Sequence, residues 1–347
     1  MSGQAEPTAI HEPARPIAAT CNWCGSPSAL PAWPGAEPPD FQVRRCTQCG
    51  HHYTVPVLGP REIGAYYAEE YYGAKNKRFN PVMEALVGWF RGGRARMLTR
   101  LAGEPGRAGV GKVLDVGCGR GLTLATLRTL GWRTQGCEYS ATSSRYAREV
   151  LELDVVCDGF DPARYADGEF EAVSFWHVLE HMADPRQTLE TCARIVKPGG
   201  VLAIAVPNFE SYQAQAARYG WFHLDMPRHY SHFSASWLRK RFAELGFEVV
   251  SEFHGSAEQN PYGWIQSLEN RWGLRRNLLY DVLRAESART VKRPWTELPG
   301  QALASLVGLA ILLPFSLAML LPEIVFRRGG TVEFYAVRKP SAAKSQG

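Results

Sequence analysis

The sequence predicts an α/β fold built on an open, largely parallel sheet, preceded by a small cysteine-bearing module and interrupted near its end by an apolar helical insert. Three features of the 347 residues carry this reading: a strand that breaks into alternating glycines at 113–121, two C-x-x-C pairs, and an uncharged run from Ala302 to Pro322. Composition agrees with it. At 45% hydrophobic and 21% charged residues the chain can bury a sizeable core, which excludes disorder of the whole, and its length suits a core domain with appendages. A formal net charge of +5 is by itself too small to mark a nucleic-acid binder.

Taken in order, residues 1–19 contain prolines and acids and no apolar stretch behind a basic start, so they read as a disordered tail and not as a secretory leader, and the chain is expected in the cytoplasm. In a reducing compartment the isolated Cys118, Cys137, Cys157 and Cys192 read as small core residues, whereas Cys21, Cys24, Cys46 and Cys49 are paired and read as metal ligands. Two residues between thiolates let one tight turn present both sulfurs to Zn²⁺, and Gly25 and Gly50 supply the backbone turn after each pair. Residues 20–55 are therefore expected to be a zinc ribbon. The segment between the pairs, rich in Pro and Ala, reads as a loop with one hairpin, since Phe41–Arg44 shows strand alternation, and a redox role would need a βαβ pattern nearby that is missing. Four sulfur ligands leave no position open for water, so this metal is structural, and His51 and His52 are not needed as ligands.

Residues 112–121, KVLDVGCGRG, read as a buried strand ending in a glycine turn, and 122–130 show helical spacing. A dinucleotide fingerprint needs its third glycine at 122, where Leu122 stands, and Asp115 would repel a pyrophosphate. A cationic ligand fits better. The next strand ends at Glu138, where parallel-sheet nucleotide sites place a ribose-binding carboxylate, and the third ends at Asp158 and Gly159, a polar pair suited to a base edge. With VLDVGCGRG at 113–121 and GCEYS at 136–140, the chain resembles the class I S-adenosylmethionine-dependent methyltransferases. The resemblance implies a Rossmann-like sheet of seven strands with the last antiparallel. It also implies that Asp115, Gly117, Gly119 and Gly121 hold the methionine part of S-adenosyl-L-methionine, Glu138 with Tyr139 beside it the ribose, and Asp158 with Gly159 the adenine. HVLEH at 177–181, KPGG at 197–200 and VPN at 206–208 are similar to a subgroup acting on small molecules, lipids and saccharides. Asp184 and Pro185 mark a helix start between them.

Methyl transfer requires alignment of the acceptor and, for a hydroxyl or amine, removal of its proton, a task suited to histidine. His177 closes the fourth strand and is the best placed; His181 and His229 are the other catalytic candidates, with His223 and His232 nearby in sequence. HVLEH also resembles a metal-binding variant found in ubiquinone-biosynthesis O-methyltransferases and small-RNA 2′-O-methyltransferases. Glu180 and His181 match it, whereas His177 replaces a glutamate; the other reading has Glu180 and His181 capping a helix start or bonding its backbone. The aromatic and histidine-rich stretch Trp221–Phe233 is assigned to the acceptor pocket.

The run 302–322 is long enough to span a bilayer, yet the strands 247–253 and 331–337 that flank it belong to one sheet, so both its ends must lie on one side. Pro314 is expected to break it into a shallow hairpin dipping into one leaflet. Between Arg271 and Arg293 stand seven basic and two acidic residues, a local surplus equal to the whole net charge, and Arg327 and Arg328 follow the run. Such flanks suit anionic headgroups. The competing reading is a buried helical hairpin or a homodimer interface.

The domain reading is thus a tail at 1–19, the ribbon at 20–55, a helical linker or lid at 56–105 with Tyr66, Tyr67, Tyr71, Tyr72, Trp89 and Phe90, the core at 106–256, the basic and hydrophobic insert at 257–330, the last strand at 331–339 and a tail at 340–347. The functional expectation is a methyltransferase, peripheral or monotopic on the cytoplasmic membrane face, acting on a lipid, quinone or lipid-linked saccharide. Alternatives are a sugar-nucleotide C- or O-methyltransferase, an rRNA methyltransferase and a non-catalytic cofactor-binding scaffold. No nucleic acid is expected, since residues 20–55 carry only Arg44 and Arg45 against Glu37 and Asp40.

Overall fold

The computed structural model describes residues 20–34, 40–59, 62, 63, 66, 81–103, 111–283 and 294–340. The expected disordered tails at 1–19 and 341–347, the tyrosines of the lid at 67–72, and Arg284, Arg289, Lys292 and Arg293 of the basic patch lie outside the described residues. Along the chain the strands are β1 (Ala29–Pro31), β2 (Gln42–Cys46), β3 (His52–Val55), β4 (Lys112–Val116), β5 (Arg133–Cys137), β6 (Asp154–Val156), β7 (Phe170–Trp176), β8 (Val196–Pro207), β9 (Ser231–His232), β10 (Phe247–Phe253) and β11 (Thr331–Arg338). Seven of them form one sheet in the order β10-β11-β8-β7-β4-β5-β6. β4 pairs in parallel with β5 and β7, and β11 runs antiparallel between β8 and β10, as the resemblance implies. Because helices cover both faces, the central strands are apolar throughout: Val113, Leu114, Val173, Phe175, Leu202 and Ile204 are all buried. β8 starts at Val196, ahead of the glycine pair, and the ladder with β7 slips between Phe170 and Ala172 to absorb it.

Four cysteines meet in front of this sheet. Cys21 and Cys49 stand 3.6 Å apart at sulfur, as do Cys24 and Cys46, and all four sulfurs lie within 4.8 Å of one another. A tetrahedron of sulfurs about 2.3 Å from Zn²⁺ has edges of about 3.8 Å, so the quartet has the spacing of a zinc site. Each knuckle closes by a backbone bond, Gly25 N–H to the Cys21 carbonyl (2.8 Å) and Gly50 N–H to that of Cys46 (3.0 Å), both glycines at positive φ. Without a metal the thiols must share protons: the bond with Cys49 pulls Cys21 down to about 5, and the same bond pushes Cys49 up. A divalent cation removes that conflict.

The ribbon is fused to the core by main-chain pairing. β1, β2 and β3 form an antiparallel sheet whose fourth strand is β9, contributed by the core between β8 and β10. Thr54 N–H donates to the Tyr230 carbonyl at 3.0 Å, and Thr54 Oγ1 meets His232 Nε2 at 2.9 Å. Trp23 stacks edge-on against Trp237, 4.7 Å between centroids, and Cys21, Cys46 and Tyr53 share one buried cluster with Phe233 and Leu238. On the other side the helix Pro81–Ala102 is clamped to the sheet by Arg94, which pairs with Glu333 (2.7 Å) and Glu258 (3.0 Å) and lies over the Trp176 ring.

The apolar run corrects the expectation of a hairpin. It is a helix, Pro299–Ala318, followed directly by Leu320–Val325, with Pro314 inside it. The proline removes one backbone bond and crowds the Ala310 carbonyl, a cost of about 3 kcal/mol that the packing along the helix outweighs without reversing the chain. The helix runs antiparallel along a second helix, Asn260–Arg271. Ser305 Oγ donates to Glu269 Oε2 (2.6 Å), the rings of Trp264 and Phe315 are 5.4 Å apart, and Asn260 Nδ2 and Trp264 Nε1 both donate to Glu323 at 2.9 Å. Its amphipathicity is inverted. The face against the protein carries Ala302, Ser305, Leu312, Ser316 and Glu323, all buried, whereas Leu303, Val307, Ile311, Leu317 and Leu321 are 49–68% exposed.

The ribbon geometry makes a measurable prediction. Purified protein carries one zinc per chain, and chelation lowers Tm by at least about 5 °C, since structural zinc contributes on the order of 10 kcal/mol where it organises a fold. Less than one metal per chain together with an unchanged melt in chelator contradicts this assignment.

Candidate active site

The site forms at the carboxyl ends of β4 to β7, where strand order reverses about β4 and open parallel sheets leave a crevice. β4 carries Asp115 into the interior, 2% exposed, and Ser174 of β7, its register partner, donates to Oδ1 at 2.6 Å. Burial pushes the Asp115 carboxyl up to about 7, with Ser174 and the charge of Arg91 pulling it back and Glu138 adding to the rise. Gly117 follows, pressed so closely on Val178 that an added Cβ would sit 2.6 Å from a Val178 methyl. Gly119 is different. At φ 56 it has nothing within 4 Å of a Cβ position, so the tip of the turn is an open cradle of the kind a ligand backbone can enter.

The cradle and β5 are tied together by one carboxylate. Gly119 N–H donates to Glu138 Oε2 (2.8 Å) and Ser140 N–H to Oε1 (2.7 Å), fixing Glu138 although it is 7% exposed. Burial raises its pKa and these two bonds lower it. Each oxygen keeps a second lone pair, enough to accept from two vicinal hydroxyls. Tyr139 beside it is 77% exposed. Asp158, past the end of β6, accepts from Gly159 N–H on Oδ1 (2.8 Å) and pairs with Arg164 on Oδ2 (2.5 Å). Donors and acceptors therefore line the strand ends in the order the sequence implies. Ser174 and Ser140 were not singled out there. Ser174 is the one hydroxyl in the apolar run of β7, and Ser140 is the N-cap of the helix Ala141–Glu149, accepting from Ser143 N–H; both signals are visible in the residues.

A second cluster follows β7, beside the glycine turn through the close approach of Val178 to Gly117. His177 follows the strand at φ 57, its N–H bonded to the Ala205 carbonyl (2.9 Å), its Nδ1 3.6 Å from Glu180 Oε1 and its Nε2 buried without a partner. Glu180, 1% exposed, has neither oxygen hydrogen-bonded, so it caps nothing. His181 does bond backbone, Nδ1 meeting the Arg228 carbonyl at 3.0 Å. His229 lies edge-on to His181, 4.5 Å between centroids, with Asp225 3.8 Å from its Nε2 and no partner on Nδ1. Burial, and then the neighbouring His181, hold His229 well below the usual histidine range. One ligand atom each from Glu180, His181 and His229 falls within 4.8 Å of the others. His223 joins them: burial pushes it down to about 3, His177 adds to that, and its Nε2 is unpartnered. His232 and Phe233, by contrast, serve the ribbon interface, and Trp221 belongs to a separate buried cluster with Trp33.

Residues 90–252 match a family model described as a methyltransferase domain. The ubiquinone biosynthesis O-methyltransferase of Xanthomonas oryzae pv. oryzae is 35% identical over 156 residues, 40% of this chain and 64% of that protein. That of Cupriavidus pinatubonensis is 28% identical over 165 residues, 45% and 61% of the two chains. The chain thus spans less than two thirds of the curated relatives it matches. A crystal structure of a SAM dependent methyltransferase from Archaeoglobus fulgidus resembles it at 23% identity and a TM-score of 0.39, over 48% of this chain and 72% of that one, which is too distant to speak to substrate.

Asp115 gives the site a pH signature. Its carboxyl is mostly neutral below about 7 and ionised above it, and a sulfonium ligand gains from the ionised form only. The affinity for S-adenosylmethionine is expected to rise roughly tenfold from pH 6 to pH 8, as the ionised fraction rises from about a tenth to about nine tenths. Titration calorimetry checks this, and in Asp115→Asn the slope disappears. A wild-type affinity flat across that window contradicts the role given to Asp115.

Proposed function

We propose that this chain, which has the class I S-adenosylmethionine-dependent methyltransferase fold, methylates a lipid, quinone or lipid-linked saccharide while bound to the cytoplasmic surface of a membrane. The observation that carries the reading is the inverted helix Pro299–Ala318: polar side chains turned inward and leucines outward are stable where the outside is apolar. Its partner helix Asn260–Arg271 also walls the histidine cluster, a Cβ on Gly263 falling 3.0 Å from His223 Nε2. One helix thus touches both the acceptor side of the site and the lipid-facing element. Similarity to enzymes named for ubiquinone biosynthesis supports an apolar acceptor.

The open cradle at Gly119, the buried Asp115 and the paired acceptor oxygens of Glu138 fit S-adenosylmethionine. Asp115 faces its cationic end, Glu138 takes the ribose, and Asp158 with Gly159 meets the adenine. When bound, it supplies an electrophilic methyl group. His177 then receives the acceptor proton on Nε2, the nitrogen left without a partner, while Glu180 steadies the imidazolium through Nδ1. The buried, neutral His223 and His229 exclude water and orient the acceptor.

One observation favours a second component. A buried carboxylate with no hydrogen-bond donor is costly, and Glu180 stands beside two imidazoles, one of which is oriented through its other nitrogen by the Arg228 carbonyl. Glu180, His181 and His229 would hold Zn²⁺ or Mn²⁺, which suit imidazole better than Mg²⁺ does. The cytosolic sugar-nucleotide reading differs in needing no lipid surface.

The experiment is methyl transfer from labelled S-adenosylmethionine by purified protein given a total lipid extract or a pool of sugar nucleotides. Label partitioning into the organic phase is expected, and Glu180→Gln should lose Mn²⁺ binding. Label confined to sugar nucleotides overturns the membrane reading, and transfer to neither overturns the enzyme reading.

A further inference from the structure

The basic surplus noticed in the sequence has a specific address in the structure. The chain between Ala217 and Gly220 and the end of the helix Asn260–Arg271 enclose a cavity of about 300 Å³, lined by Arg218, Arg271 and Arg276 with Asn270 and the backbone of Tyr219 and Gly220. Its floor is tight: a Cβ on Gly220 would stand 3.1 Å from the Arg271 backbone nitrogen. Asn270 Nδ2 donates to the Gly220 carbonyl (3.0 Å), and Arg276 Nη1 to that of Tyr219 (2.9 Å), so both walls are pinned.

Nearby acids are committed elsewhere. Asp225 pairs with Arg228 at 2.5 Å and Asp281 with Arg275 at 3.3 Å. Among the described residues no carboxylate lies within ion-pair distance of Arg218, Arg271 or Arg276. Three exposed arginines line one concavity with no ion-pair partner among the described residues, Asp225 acting on Arg276 only from beyond that distance, so a positive field is left for an anion to enter. Arg218 is also held against its backbone preference, at φ 49 and ψ −122, a region that favours glycine. A strained residue whose side chain lines a cavity is a candidate for function.

We propose that this cavity binds a phosphate or diphosphate group, carried by the headgroup of a membrane amphiphile. Guanidinium groups match phosphate oxygens bidentately, and several can share one doubly charged group. The position supports a lipid source. Arg275 N–H donates to Gln301 at the start of the apolar helix (2.8 Å), so the cavity opens where the lipid-facing surface begins. Along the helix Asn260–Arg271 it lies two turns, about 12 Å, from the Gly263 contact with His223. A headgroup phosphate seated here leaves the rest of an amphiphile within reach of both the apolar face and the histidines. The source of the anion rests on the membrane reading above; the site itself does not.

The test uses the full chain, inorganic diphosphate by titration calorimetry, and flotation with phosphatidylcholine vesicles with or without phosphatidylglycerol. Arg218→Gly removes a guanidinium and relieves its backbone, so it should melt no lower than the parent while weakening diphosphate binding about tenfold, as should Arg271→Ala. Both should also weaken flotation with anionic vesicles. Diphosphate binding lost in the variants without any vesicle binding supports the site and assigns it to a soluble phosphoanion. No diphosphate binding, or binding indifferent to both substitutions, overturns the proposal even if vesicles are bound.

Discussion

One buried carboxylate organises the half of this molecule that packs around the apolar helix. Glu323, fully buried, accepts from Gln213 Nε2 (3.1 Å), Trp264 Nε1 (2.9 Å) and Asn260 Nδ2 (2.9 Å). Burial pushes it up to about 7, and those three bonds draw it back. Asn260 in turn donates to the His254 carbonyl (2.7 Å) and accepts from Thr331 N–H (3.2 Å) at the start of β11. The network therefore joins four pieces of chain: the segment after β8, the helix Asn260–Arg271, the end of the apolar helix, and the last strand. The turn between Glu323 and β11 fits only because it is glycine; a Cβ on Gly329 would lie 2.0 Å from the His254 oxygen. Losing one donor leaves a buried carboxyl oxygen underbonded, at about 1–3 kcal/mol each, and loosens the tie between the apolar helix and the core.

This constraint explains how a helix of bilayer-spanning composition stays beside the protein. Within Pro299–Val325 an 18-residue window has a mean hydropathy of 2.3 and is 17% buried, values that alone would suit a transmembrane span. Contacts at Ser305, Phe315 and Glu323 hold it along Asn260–Arg271 at both ends and the middle. Held along its length in this way, the helix leaves one side open, with Leu303, Val307, Ile311, Leu317 and Leu321 exposed. The same packing places the histidine cluster, the arginine-lined cavity and the apolar face along a single helix. On the opposite flank the ribbon contributes β3 to the pairing with β9, so the four-cysteine cluster braces the loop that carries His229. The four-cysteine cluster and the histidine cluster are mechanically linked, Thr54 Oγ1 donating to the His229 carbonyl at 2.6 Å, although none of those four cysteines reaches the cradle.

Much of this was legible in the residues, for physical reasons. The side of the site proposed for the cofactor is read from local signals: a glycine turn after an apolar strand and acids at successive strand ends, each about twenty residues after the last. Asp115, Gly119, Glu138 and Asp158 fall where that pattern puts them. The knuckles are equally local. What the sequence left unread depends on tertiary pairing. β3 and β9 are short, and β9 is two residues long, so no alternation marks them; only their pairing makes them strands. Pro314 misled because its penalty, one lost hydrogen bond and a crowded carbonyl at about 3 kcal/mol, is less than the packing of a long apolar helix supplies. The inversion of that helix is invisible in composition, since Ser305, Ser316 and Glu323 are few and become meaningful only once their direction is known.

The account stands most directly on the orientation of that helix. Spin labels placed singly at Leu303, Ile311 and Leu321, on protein bound to vesicles, report depth through their relative accessibility to oxygen and to a water-soluble nickel complex. The inverted, laterally held helix predicts three shallow and nearly equal depths within one leaflet. A steady gradient of depth from 303 to 321 would contradict it in favour of a span, and full access of all three labels to the nickel complex would remove the membrane from the account.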